Sequence, residues 1–186
     1  MSAELTTRGG AGSVPPRVVA LPAGRDLLRR LRDRHGALML HQSGGCCDGS
    51  APMCYRAGQF RVGRRDVLLG LLDLGAEVGD APGALPEGDD AVPVWISGSQ
   101  FAVWQHTQLV LDAVPGRGSG FSLDAPEGER LLTRSRVFEP TELEALSAHP
   151  ALTGDQVEAG EEPSLPSDPL VVADLAEACP LPLRRG

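Results

Sequence analysis

The sequence predicts an α+β domain, mainly β, with one short helix near its N-terminus. Short apolar runs recur along the chain between breaks rich in glycine and proline, which is the pattern of many short strands. The 186 residues include 23 glycines and 16 prolines, so turns must be frequent. The early helical signal lies in residues 24–34, where Leu27, Leu28 and Leu31 form an apolar stripe and arginines cover the other side.

The elements follow in order. Residues 1–16 are polar and glycine-rich and read as a disordered leader. Residues 17–21 form a short strand. The helix of residues 24–34 stops at Gly36, which suits a left-handed cap. Residues 37–41 make a brief apolar strand that runs into a cysteine turn, and residues 56–62 form the returning strand. Residues 67–74 fit either a helix or a buried strand. Residues 79–90, rich in glycine, proline and acids, are a loop.

Residues 92–96 are a strand in which Pro93 points to an edge position or a strand start. Residues 99–105 make a helical turn capped by Ser99. Residues 107–114 form the best strand, with Leu109, Leu111 and Ala113 on one face and Val110, Asp112 and Val114 on the other. A turn over residues 115–120 leads to strands at 121–123 and 131–138. Thr141 caps a helix through Leu146, and Glu144 completes a capping box. Residues 149–168 are acidic and read as disordered, and residues 171–179 as a terminal helix. The domain therefore spans residues 17–139, between a leader of residues 1–16 and a tail of residues 140–186.

The net charge of -8 argues against nucleic acid as a partner. All 17 basic residues are arginine, a compositional bias without a mechanism attached. No stretch approaches the roughly 20 apolar residues of a membrane span, and residues 1–16 lack the apolar core of a signal peptide. The expected location is the cytoplasm. Thiols stay reduced there, so clustered cysteines point to metal or redox chemistry ahead of disulfides.

Such a cluster is present. Three of the four cysteines fall between His41 and Cys54, around the string Ser43-Gly44-Gly45-Cys46-Cys47-Asp48-Gly49-Ser50. Adjacent cysteines rarely bond each other, because the small ring strains the peptide. Glycines at 44, 45 and 49 give the backbone freedom to aim both thiols inward. The spacing matches no standard zinc module. Thiolate with imidazole still suits zinc, ferrous iron, Cu(I) or an iron–sulfur cluster. The candidate ligands are His41, Cys46, Cys47 and Cys54, with Asp48 as a hard ligand or an acceptor for an imidazole. The competing readings are a tight corner of small buried thiols and a thiol-redox or nucleophilic site. His106, Asp112 and Cys179 are weaker candidates. The string Pro115-Gly116-Arg117-Gly118-Ser119-Gly120 lacks the Lys-Ser/Thr ending of a phosphate loop and reads as a hairpin turn.

The string from His41 to Ser50, with His106-Thr107-Gln108 and the stretch Pro115 to Leu123, resembles a bacterial family of unknown function over residues 17–139. Members of that family are often encoded beside aldehyde dehydrogenases, which implies a dehydrogenase as partner. A more distant resemblance concerns fold. In order and spacing, Leu38 to His41, Gly44-Gly45-Cys46, Val92 to Ile96, Val110-Leu111-Asp112, Gly120-Phe121 and Ala125-Pro126 are similar to the HesB-like A-type iron–sulfur carriers. That implies a compact HesB-like β fold with a short N-terminal helix, and Cys46 at a cluster-ligand position. The carriers' second cysteine pair has no counterpart in residues 128–135. The expectation is a non-enzymatic accessory protein that binds iron, zinc or an iron–sulfur cluster through Cys46, Cys47, Cys54 and His41 and assists or regulates an aldehyde dehydrogenase. The alternatives are a thiol-redox or aldehyde-detoxifying enzyme and a cofactor-free structural subunit, and a homo-oligomer is admitted in each case.

Overall fold

A computed structural model describes residues 14–43, 51–80, 85–117 and 120–163. The chain is α+β and mainly β. Its strands are β1 (Val18–Ala20), β2 (Leu38–Gln42), β3 (Met53–Arg56), β4 (Val67–Asp73), β5 (Ala91–Ile96), β6 (Thr107–Pro115) and β7 (Glu129–Val137). Its helices are α1 (Pro22–His35), α2 (Gly98–Trp104), α3 (Pro140–Ser147) and α4 (Gly154–Glu158). The strands form two mixed sheets, one in the order β1-β6-β7 and one in the order β3-β2-β5-β4.

Each sheet carries one parallel and at least one antiparallel pairing. β1 runs parallel to β6, and β2 runs parallel to β5. The main core joins both sheets to α1. Leu27, Leu28 and Leu31 of the helix meet Leu109, Leu111 and Ala113 of β6, Leu40 of β2 and Val94 of β5. The predicted stripe of α1 is thus buried, while β6 is buried on both of its faces, Val110 and Asp112 included. α1 lies so close to β6 that a Cβ on Gly24 would come within 2.9 Å of the Leu111 carbonyl oxygen. Gly36 ends the helix at φ 78°, and its N–H bonds the Arg32 carbonyl at 2.8 Å.

The four-stranded sheet has a second apolar face. Met39, Leu68 and Trp95 are buried there under Phe60, Val62 and Val157. The cover comes from the chain after β3 and from α4. A bulge at Leu69 lets β4 stay paired with β5 on both sides of it, through Leu68 and Gly70.

Several expectations are corrected. The strand returning from the cysteine turn is β3, Met53–Arg56, and residues 57–66 form turns and irregular chain. The apolar run over residues 67–74, open between helix and buried strand in the sequence, is resolved as a strand. Pro93 stands inside β5, a central strand, because the ladder to β2 begins only at Val94 and the missing N–H interrupts no pair there. Residues 121–123 are turn and bend. The capping box of α3 is built from Glu139 and Glu142, ahead of the expected pair Thr141 and Glu144. Ser97, not Ser99, precedes α2.

Residues 149–163, expected to be loose, are docked on the domain. Leu68 N–H bonds the Leu152 carbonyl at 2.8 Å, and Thr153 bridges to Val67. The leader's first 13 residues, the cysteine turn of residues 44–50 and the helix expected at 171–179 lie outside the described residues.

Candidate functional site

The cysteine turn joins β2 to β3, so it is the loop of an antiparallel hairpin. Leu40 pairs with Cys54 and His41 pairs with Met53. Directly opposed residues share a face, and consecutive residues alternate. Cys54 therefore points with Leu40 into the main core, while His41 points with Met53 and Trp95 to the other face. The structure does not bring these two predicted ligands together. Cys46 and Cys47 lie outside the described residues. Among the described residues, no three His, Cys, Asp or Glu side chains gather as a metal cluster.

Cys54 is a free thiol with 0% exposure. Its N–H bonds the Ser122 Oγ at 2.9 Å, and the Leu123 N–H bonds its carbonyl at 3.0 Å. Ser122 donates its hydroxyl to buried Asp124, whose other oxygen accepts the Leu131 N–H at 2.9 Å. This network pins β3 to β7. Burial, followed by the nearby Asp124 charge, pushes the Cys54 thiol far above its ordinary value. A thiol held protonated in a core is a poor nucleophile and a poor ligand.

That shift fixes a sign. Above the unfolded thiol value of about 8.5 the unfolded chain ionises at Cys54 and the folded chain does not. Stability conferred through this group is complete below that pH and falls as pH rises, by up to about 1.4 kcal/mol per pH unit. Cys54→Ala removes this term, so the stability gap between the two proteins should narrow from pH 8 to pH 10 in denaturant titrations. A constant gap would mean that the thiol ionises freely in the fold.

His41 is 3% exposed, yet both its ring nitrogens have partners. Nε2 lies 2.9 Å from Asp66 Oδ2, and Nδ1 lies 2.7 Å from Ser43 Oγ. A carboxylate can only accept, so Nε2 carries the proton that Asp66 receives. In the neutral ring the Nδ1 lone pair then faces Ser43, the residue that opens the cysteine turn, and accepts its hydroxyl proton. Phe60 tilts against the imidazole with ring centres 4.5 Å apart and is itself stacked on Tyr55 at 4.8 Å. The ring is fixed in place and in tautomer.

Asp66 is held in turn. Its Oδ2 accepts the Gly63 N–H at 2.7 Å. Gly154 N–H bonds the Asp66 carbonyl at 2.8 Å, and Asp155 N–H bonds the Arg64 carbonyl at 3.2 Å. A Cβ on Gly154 would overlap the Gly63 carbonyl, and one on Gly98 would overlap the Arg65 carbonyl. The two glycines thus let α4 and α2 clamp residues 63–66 from two sides. Gly98→Ala and Gly154→Ala should each destabilise the protein by about 1–3 kcal/mol through overpacking, measured by chemical unfolding. Unchanged midpoints would show that the clamp has slack.

The other predicted candidates stand elsewhere. His106 is exposed at the start of β6. Asp112 is buried but belongs to Arg134, whose Nε and Nη2 both reach its Oδ2 at 3.0 Å. Sequence reasoning missed Ser43 and Asp66 as partners of His41. Asp66 lies 25 residues from His41, and no spacing rule links them. Only the fold of the chain between β3 and β4 does.

A family model described as Domain of unknown function (DUF779) matches residues 27–137, more than half of the chain. The chain belongs to this family. The match runs from α1 through β7 and takes in the hairpin, His41, Asp66 and Cys54. No curated protein and no solved structure matches the chain. The HesB-like resemblance therefore rests on the order of sequence segments alone. No helix among the described residues is long and apolar enough to cross a membrane.

Proposed function

We propose that the protein is an accessory protein that binds one soft divalent ion, zinc or ferrous iron, with Cys46 and Cys47 of the hairpin turn and Nδ1 of His41. The observation that supports this is the His41–Asp66 pair. An imidazole whose N–H is given to a carboxylate is the usual arrangement behind a metal-bound histidine, and here the other nitrogen meets Ser43, three residues before Cys46 in the chain. Ser43 holds that nitrogen with a hydroxyl that can rotate away. Two thiolates and one imidazole are soft enough for zinc or ferrous iron and leave a fourth position open.

Cys54, turned into the core, has a packing role in this reading. Two thiols in one chain are too few for the usual four-thiolate cluster, so a mononuclear ion is favoured. The reading takes the protein to be cytoplasmic, where the thiols stay reduced. Its partner is then an aldehyde dehydrogenase, as the sequence resemblance implies.

The same histidine supports a second reading, in which His41 acts as a base that draws the proton from a turn thiol and makes it reactive. One experiment separates the two. The reduced full chain is titrated anaerobically with Co2+, and its thiols are then timed with a chromogenic disulfide. Thiolate-to-cobalt charge transfer that saturates near one ion per chain supports the metal site. No cobalt uptake together with one fast thiol supports the reactive-thiol site. Neither signal overturns both.

A further inference from the structure

A second feature stands apart from the hairpin. A cleft of about 280 Å3 opens where the β1 edge of one sheet meets the β4 edge of the other, closed by the chain between α3 and α4. Leu69, Leu71, Val18 and Ala151 contribute its apolar wall, and Arg17 borders it.

Arg17 is unusual among the arginines of this protein. Its neighbours on α1 are paired with acids, such as Arg25 with Glu77 and Arg32 with Asp90. Arg17 is half-buried and has no carboxylate within ion-pair distance among the described residues. Its Nη2 donates to the Leu146 carbonyl at 3.2 Å and the His149 carbonyl at 2.7 Å, which caps the end of α3. Nε and Nη1 have no partner among the described residues. Burial lowers its pKa.

We propose that this cleft binds a small monocarboxylate with an apolar tail, whose carboxylate accepts from a guanidinium N–H of Arg17 that has no partner among the described residues. A desolvated cation without an anion gains from an ionised oxygen acceptor, and such charge-assisted bonds are among the stronger ones. The leucines take the tail. The size of the cleft lies just below the usual range of about 300–1,000 Å3 for ligand pockets, which sets a short ligand. Glu161 and Glu162 also border the cleft and are exposed. Their charge disfavours a dianion and leaves a single carboxylate as the fitting head group. Much of the wall comes from residues 16–18 and 148–163, outside the span matched by the family model.

The test is calorimetric titration of the full chain with octanoate and, as the neutral control, 1-octanol. Octanoate should bind saturably, and 1-octanol at least about tenfold more weakly, since losing one charge-assisted bond is worth roughly that much. Arg17→Gln should weaken octanoate by a similar factor. Because that change also uncaps α3, Ala151→Leu is the second variant. It fills the cleft with Arg17 in place and should abolish binding without lowering the melting temperature. Absence of saturable octanoate binding, equal binding of the alcohol, or full binding by Ala151→Leu would each overturn the proposal.

Discussion

Cys46→Ser combined with Cys47→Ser abolishes cobalt and zinc binding, whereas Cys54→Ala leaves the stoichiometry at the wild-type value. This contrast follows from the alternation of the hairpin. Cys54 shares a face with Leu40 and sits in the core, with no exposed surface and a thiol that stays protonated. A metal needs the thiolate. Removing Cys54 should lower stability by about 1 kcal/mol, the loss expected for a small buried group. It should leave uptake unchanged. Serine at 46 and 47 is close to cysteine in size but replaces soft thiolates by hydroxyls that do not ionise near neutral pH. Dialysis against a weak chelator followed by metal analysis reads both effects. Loss of metal in Cys54→Ala, with the fold intact, would place that thiol in the site.

Asp66→Ala weakens metal binding by about 10–100-fold while the two cysteines remain. Asp66 is a positioning residue in this account. It accepts a hydrogen bond from the His41 Nε2–H at 2.9 Å and so leaves Nδ1 as the unprotonated nitrogen, beside Ser43. It also accepts the Gly63 N–H at 2.7 Å, so the variant loses some stability as well. Affinity and stability must therefore be measured separately, by chelator competition and by thermal unfolding. Asp66→Asn keeps an acceptor for the Nε2 proton and should retain more affinity than Asp66→Ala. A destabilised Asp66→Ala protein with wild-type affinity would make the pair a packing device only, with His41 no ligand.

Local pattern made the elements readable where one face was apolar and the other was not. Leu27, Leu28 and Leu31 declared α1, and the alternation from Leu109 to Ala113 declared β6, although both faces of that strand are buried. The sequence misled where tertiary pairing outranked local cues. Pro93 pointed to an edge position or a strand start, yet it sits inside a central strand, because the ladder to β2 starts one residue later. Residues 149–163 looked too polar to fold. They dock because β4 offers an unpaired edge to Leu152 and Thr153.

The site was legible in part. The sequence drew attention to the hairpin turn and to His41, because residue types alone suggest soft-metal or thiol chemistry there. It could not tell that His41 and Cys54 diverge. That depends on the register that sets Cys54 opposite Leu40, and a shift of one residue would reverse every face. It also could not find Asp66 or the unpaired Arg17, because both act through partners far along the chain.

The most direct test of the central claim is metal analysis of the full chain purified without oxygen, beside the Cys46→Ser, Cys47→Ser double variant. About one zinc or iron is expected per wild-type chain and none in the variant. A folded wild-type protein that carries no metal and takes up neither Zn2+ nor Fe2+ when supplied in excess would contradict it.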